Sequence, residues 1–180
     1  GTPIRQELLQ GDRSKALEFC GFSDDKPVIL VIGGSLGSVI VNHAVRGILT
    51  QLLEQFQIIH ICGKGNVDES LIGIPGYVQY EYIKDELADL FALTDVCISR
   101  AGANAICELL ALRKPALLIP LSANASRGDQ ILNADSFKRQ GFSEVLTEEE
   151  LNPSLLLETI QKLYNNRDTY IHAMENSQQS

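Results

Sequence analysis

Short apolar runs alternate along the chain with stretches whose apolar residues recur every three or four positions. Pro27 to Ile32 is an unbroken, β-branched apolar run, the pattern of a strand buried on both faces of a parallel sheet. It breaks at Gly33-Gly34-Ser35-Leu36-Gly37, after which Val41, Val45, Ile48 and Leu52 fall on one face of a helix. Gln57 to Cys62 reads as a second strand closing on Gly63-Lys64-Gly65, and Gly76 to Tyr80 as a shorter third. Tyr82-Ile83 then leads into a helix that keeps Leu87, Leu90 and Phe91 on one side. Val96 to Ser99 and Pro115 to Pro120 are the next strands, with a helix over Asn104 to Leu112 between them. Gly128-Asp129 opens a helix with Ile131, Ala134 and Phe137 inward, Gly141 closes it, and Ser143 to Leu146 is the sixth strand. Asn152-Pro153 marks a helix start, with Leu156, Ile160 and Leu163 on one face. Strands alternating with helices in this way predict an α/β fold, a doubly wound, parallel, six-stranded Rossmann-like sheet. Residues 27–165 form that domain in this reading; residues 1–26 are a lead-in and residues 166–180 a polar tail that frays or docks elsewhere.

Composition narrows the class. At 180 residues and 44% hydrophobic, the chain can bury one sizeable core. Its 15 Lys and Arg against 23 Asp and Glu give a net charge of −8, which offers no general field for nucleic acid or an anionic membrane surface. Any anionic ligand must be held locally. No apolar run approaches the roughly 20 residues of a spanning helix. The chain opens GTPIRQ, without an initiator Met or a secretory leader, and reads as an excised fragment. Cys20, Cys62, Cys97 and Cys107 show no C-x-x-C pairing and read as buried free thiols of a reducing cytosol rather than zinc ligands or disulfides.

The candidate chemistry gathers between Asp95 and Asn133, where two strands are each followed by a polar, glycine-bearing turn and a helix start. Ligands of doubly wound sheets bind outside the carboxyl ends of the strands, so Ser99–Asn104 and Leu121–Gln130 are expected to face one cleft. A helix N-terminus there offers free N–H groups and a positive dipole end to a phosphate or a sugar hydroxyl. Glu108 has two readings: a ligand for two vicinal ribose hydroxyls, or a solvated helix-surface glutamate. Ser35 reads either as a helix N-cap or as a phosphate contact in the glycine turn, and Arg5 as a phosphate-reaching arginine or an exposed one beside Pro3. The glycine turn lacks the G-x-G-x-x-G spacing, and no acid ends the second strand, which argues against a redox dinucleotide. His43, His60 and His172 form no site, and no nucleophile elbow, Walker motif, D-x-D pair or metal-ligand cluster is visible. No cofactor or metal is expected.

Taken together, GTPIR, VIGGSLGSVIVN, HICGKG, EYIKDELADLFALTDVCISRAGANAICELLALRKPALLIP and SRGDQILNA resemble, over nearly the whole chain and in order, the carboxyl-terminal half of the MurG family. That family transfers N-acetylglucosamine from UDP to lipid I. The resemblance implies one half of a GT-B glycosyltransferase, in which this half holds the UDP-N-acetylglucosamine donor. The other half would carry the lipid acceptor, the peripheral contact with the inner face of the cell membrane, and the catalytic base. No catalytic residue is expected in this half, and the fragment alone is expected to be inactive.

By the same resemblance, Ser35 with Gly34 and Gly37 contacts the diphosphate, and Arg5 reaches it. Tyr82 and Ile83 cradle uracil, and Glu108 holds the ribose hydroxyls. Ala103 and Asn104 belong to the helix start near the phosphates and sugar. Ala105 departs from members with a threonine there, which removes a side-chain phosphate contact. Gln130 matches the second of two glutamines that read the hydroxyls of N-acetylglucosamine. Asp129 stands at the first, able to accept but not to donate. The alternatives are a free-standing small subunit of a dolichol-type N-acetylglucosamine transferase, a non-catalytic nucleotide-sugar module, or an epimerase of related fold.

Overall fold

The computed structural model describes residues 6–33 and 38–177. Six strands form one sheet in the order β3-β2-β1-β4-β5-β6: β1 (Val28–Ile32), β2 (Gln57–Ile61), β3 (Tyr77–Tyr80), β4 (Val96–Ser99), β5 (Ala116–Leu118) and β6 (Ser143–Val145). This order is that of the doubly wound nucleotide-binding sheet, and the expected α/β class holds. Contacts divide the chain into two compact units, one running to Asp95 and the other starting at Val96.

In the first unit β1 pairs parallel with β2, and β2 with β3. Val28 to Val31 are at most 1% exposed, as an uninterrupted apolar run on a two-sided sheet requires. Helix α1 (Arg13–Cys20) is capped by the Asp12 carboxylate, which accepts from the Ser14 and Lys15 amides. Just before it, a Cβ on Gly11 would lie 1.9 Å from the Ala88 carbonyl oxygen, so only glycine fits this approach. The single helix expected over Val41 to Leu52 is two, α2 (Val39–Gly47) and α3 (Leu49–Leu53). The break falls at Ile48, φ −120°, directly after Gly47, a poor helix former. Val41, Val45, Ile48 and Leu52 nevertheless all stay at or below 1% exposure, so the apolar stripe survives the break. The N-cap of α2 is Ser38, whose hydroxyl accepts from the Val41 amide, and not Ser35. Helix α4 (Leu87–Leu93) closes this unit with Leu90, Phe91 and Leu93 buried.

In the second unit β4 pairs parallel with β5, and β5 with β6. Around them run α5 (Ala103–Leu112), a single turn α6 (Ala123–Ser126), α7 (Asp129–Arg139), α8 (Pro153–Asn165) and α9 (Arg167–Ser177). Gly128, at φ 85°, turns the chain into α7. Leu156, Ile160 and Leu163 of α8 are buried, and the Asn152 side chain caps it. The stretch read as a polar tail contains α9, which buries Tyr170 and Met174 and ties the Tyr170 hydroxyl to a Glu144 carboxylate oxygen. Its low apolar content hid one inward stripe spaced at i, i+4.

Candidate functional site

The second unit builds its site from the turns that leave β4 and β5. Ser99 ends β4 buried, its hydroxyl donating to the Arg100 carbonyl. The Arg100 side chain, 8% exposed, points inward: Nη1 donates to the carbonyls of Ile119 (3.1 Å) and Pro120 (3.3 Å), and Nη2 pairs with Glu148 at 2.8 Å. One guanidinium therefore binds the end of β5 and the segment after β6 to the start of the β4 turn. A buried arginine of this kind is tolerated because its charge is paired and its donors are used.

One residue further on, Ala101 is fully buried and held from α7 on both sides of its backbone. Its amide donates to Gln130 Oε1 at 3.2 Å and its carbonyl accepts from Asn133 Nδ2 at 2.9 Å. The Leu121 amide, in the turn after β5, donates to the same Gln130 oxygen at 3.0 Å. Gln130 and Asn133 continue the inward face of Ala134 and Phe137, the spacing of one helix side. Polar residues at inward positions of an amphipathic helix are the sequence signal that was available for this feature.

Gly102 then starts α5. It has no side chain to cap the helix, so the first-turn N–H groups at Ala103, Asn104 and Ala105 have no N-cap side chain as acceptor. Ala103 and Asn104 are exposed, and Glu108 is half-buried one turn along. Within α5 only Leu109 is buried, while Ile106, Cys107 and Leu110 remain half-exposed. Asp129 is exposed at the first position of α7, and Gln130 beside it is half-buried. A cavity of about 270 Å³ lies close by, lined by Pro120, Ser122, Ala123, Asn124, Ile131, Thr147, Glu148 and Glu149. The structure thus brings Ala103, Asn104, Asp129 and Gln130 to the strand-end turns of one unit, with Glu108 on the helix that begins there.

The first unit carries the remaining candidates. Tyr82 is 76% exposed on the segment after β3, and Ile83 is half-buried. Arg5, Gly34, Ser35 and Gly37 lie outside the described residues. Beneath α2 runs a polar network that the sequence did not announce. Arg46 Nε donates to the Tyr77 hydroxyl (3.3 Å), and Tyr77 lies 2.7 Å from His60 Nδ1. His60 Nε2 lies 2.8 Å from Asn42 Oδ1, and Asn42 Nδ2 donates to the Cys62 carbonyl at 2.9 Å. Because Asn42 spends its amide on Cys62, its oxygen must accept from His60 Nε2–H, which leaves Nδ1 to accept from Tyr77. Arg46 Nη2 also reaches Gln79 Oε1 and the Asn66 carbonyl. Burial, with the Arg46 charge second, pushes His60 down to about 3, and burial pushes Tyr77 up to about 12. Both shifts keep His60 and Tyr77 neutral at neutral pH. Cys20, Cys62 and Cys97 are buried free thiols as expected, Cys107 half-buried.

A parallel sheet in this order, with glycine-started helices at its strand ends, has the architecture of the doubly wound α/β proteins. The sequence model of the glycosyltransferase family 28 C-terminal domain matches residues 28–180, and the chain belongs to that family. It is 63% identical over 179 residues to the UDP-N-acetylglucosamine–N-acetylmuramyl-(pentapeptide) pyrophosphoryl-undecaprenol N-acetylglucosamine transferase of Lachnospira eligens, covering 99% of this chain and 51% of that protein. To the transferase of the same name from Clostridium perfringens strain SM101 it is 59% identical over 177 residues, covering 98% and 50%. The chain thus spans about half the length of the curated relatives it matches. Among solved structures, MurG of Acinetobacter baumannii superposes with a TM-score of 0.74 at 24% identity, over 96% of this chain and 51% of that one. The kitacinnamycin glycotransferase superposes at 0.72 with 18% identity, over 97% and 42%. These likenesses give the fold, that of one half of a GT-B glycosyltransferase.

Proposed function

We propose that this chain is the donor-binding half of an inverting glycosyltransferase that moves N-acetylglucosamine from UDP-N-acetylglucosamine to a lipid-linked muramyl-pentapeptide acceptor in peptidoglycan synthesis. The observation that carries this reading is the 63% identity, across 99% of the chain, to a transferase bearing that name. The uncapped start of α5 supports it, since such N–H groups stabilise the negative charge that a departing diphosphate develops. In this reading Glu108 accepts from the ribose hydroxyls, Ala103 and Asn104 lie by the phosphates, and Asp129 and Gln130 serve the sugar. Tyr82 and Ile83 serve the uracil, and Arg5, Gly34, Ser35 and Gly37 the diphosphate. An acceptor hydroxyl oxygen bonds to the anomeric carbon as the bond from that carbon to the UDP oxygen breaks. The acceptor's proton goes to a base outside this chain. Lipid acceptor and membrane contact likewise belong to the remainder of the enzyme; among the described residues no helix is long and apolar enough to cross a membrane.

Glu108→Ala tests the ribose assignment. It should weaken UDP and UDP-N-acetylglucosamine alike, by about 1.5–3 kcal/mol for a lost charge-assisted pair, with little change in melting temperature. Unchanged UDP affinity together with a lower melting temperature would make Glu108 a fold residue instead.

A further inference from the structure

Gln130 has more to do than meet a sugar. Its side-chain oxygen sits 3.2 Å from the Ala101 nitrogen and 3.0 Å from the Leu121 nitrogen. Both partners are N–H donors, so the atom between them has to be the carbonyl oxygen, and a carbonyl oxygen has two lone pairs to offer. Both are occupied. The Ala101 amide belongs to the turn after β4 and the Leu121 amide to the turn after β5. Asn133, one helical turn along α7, takes the Ala101 carbonyl at 2.9 Å. Nothing among the described residues accepts from Gln130 Nε2. That amide nitrogen faces Gly102, where an added Cβ would stand 3.7 Å from it.

We propose that Gln130 is a positioning residue: its Oε1 clips the two strand-end turns together and so sets where α5 begins, leaving only its Nε2 hydrogens to meet a ligand. The inference rests on the nucleotide-sugar reading for what is positioned, but the clip itself does not. The ligand group opposite Gln130 must then be an acceptor, such as a hydroxyl oxygen or an acetamido carbonyl, because Gln130 has no acceptor left to give. Removing the oxygen should also disturb binding of UDP, which need not touch Gln130, because the start of α5 moves with the clip.

Two variants of similar length separate the atoms. Gln130→Glu keeps an oxygen for both amides and removes the donor; Gln130→Met removes both. Hydrogen exchange at the Ala101 and Leu121 amides reads the clip without any ligand, and calorimetry with UDP and UDP-N-acetylglucosamine reads the positioning. In Gln130→Met both amides should exchange at least about fivefold faster, the equivalent of one neutral hydrogen bond, and both ligands should bind more weakly. In Gln130→Glu protection and UDP affinity should stay near those of the unchanged chain, and only the sugar nucleotide should weaken. Unaltered exchange in Gln130→Met, or exchange in Gln130→Glu as fast as in Gln130→Met, would overturn the clip. Faster exchange in Gln130→Met with UDP affinity intact would overturn the positioning. If the unchanged chain binds neither ligand, the proposed function is lost while exchange still decides the clip.

Discussion

In the unit that ends at Asp95, the polar side chains beneath α2 hand hydrogen bonds from one to the next, Arg46 to Tyr77 to His60 to Asn42 to the Cys62 carbonyl, and the chain closes on itself. In the unit that starts at Val96, the polar side chains under the strand ends are also buried or half-buried, yet the chain of bonds stops short at Gln130 Nε2 and at the first turn of α5. Both regions put polar atoms where apolar ones would pack. They differ in what is left over. The first network spends its side-chain bonds inward and so rigidifies the core, with Arg46 at its edge beside a cavity of about 410 Å³, whereas the second satisfies its inward atoms and keeps an outward one for a ligand. Arg100 shows that the second region contains both kinds within three residues, closed at Arg100, clipped at Ala101 and open at Gly102.

The largest expected effect tests the closed part of the second unit. Arg100→Met removes the donors to Ile119 and Pro120 and strands Glu148, 16% exposed, without its partner. Breaking a buried pair from one side costs about 3–5 kcal/mol, to be read by chemical denaturation. A companion Glu148→Gln change should return part of the loss by removing the orphaned charge. A cost below that of an ordinary surface substitution would mean that Arg100 is solvated and that this unit has no closed floor.

The next effect tests the closed network of the first unit through pH. His60 is held near 3 when folded against about 6.5 when unfolded, so its contribution is complete above pH 6.5. It is lost as pH falls from there toward 3, because the unfolded chain takes up a proton that the folded chain refuses. At 1.36 kcal/mol per unit this amounts to about 3 kcal/mol by pH 4. Denaturation curves of the unchanged chain and of His60→Gln at several pH values isolate the term, since carboxylates are common to both. The unchanged chain should lose stability more steeply, by up to about one proton's worth per pH unit. Parallel slopes would show His60 titrating normally and the network open.

The two regions were not equally readable in the sequence. Strands β1 and β5 announced themselves as apolar runs bounded by glycine or proline, whereas the edge strands β3 and β6, Tyr-Val-Gln-Tyr and Ser-Glu-Val, carry polar residues and were legible from the turns beside them. The Ile48 break escaped because Gly47 lies on the side of the helix away from its apolar stripe, so the stripe reads as continuous across it. The helix inside the polar stretch 166–180 was hidden for the opposite reason, since Tyr170 and Met174 are too sparse to make a pattern. Of the site, the turns and helix starts were legible from glycine placement, and the individual ligand roles came only through resemblance to a family. Who bonds to whom was not legible. His60, Tyr77 and Arg46 are 14 or more residues from one another in sequence, and nothing local records that a sheet brings them together. Gln130 was assigned to the sugar alone, because spacing shows which face of α7 it occupies and not that two backbone amides meet its oxygen there.

The smallest effect is the most discriminating. Gly102→Ala adds one methyl group at a residue with φ −67° and ψ 155°, where alanine is unstrained, and at 3.7 Å the new Cβ makes ordinary contact with Gln130 Nε2. Glycine and alanine differ by only a few tenths of a kcal/mol to about 1 kcal/mol at a helix N-cap, so the melting temperature should move little. The inward side of Gln130 is untouched, so the Ala101 and Leu121 amides should keep their protection. What changes is the outward side, where the methyl covers the one amide face that the clip leaves for a ligand. The expected loss is about 0.5–1.5 kcal/mol, a neutral hydrogen bond, felt by UDP-N-acetylglucosamine and much less by UDP. Undiminished affinity for the sugar nucleotide would mean that Gln130 Nε2 faces no ligand. The second region would then be as closed as the first.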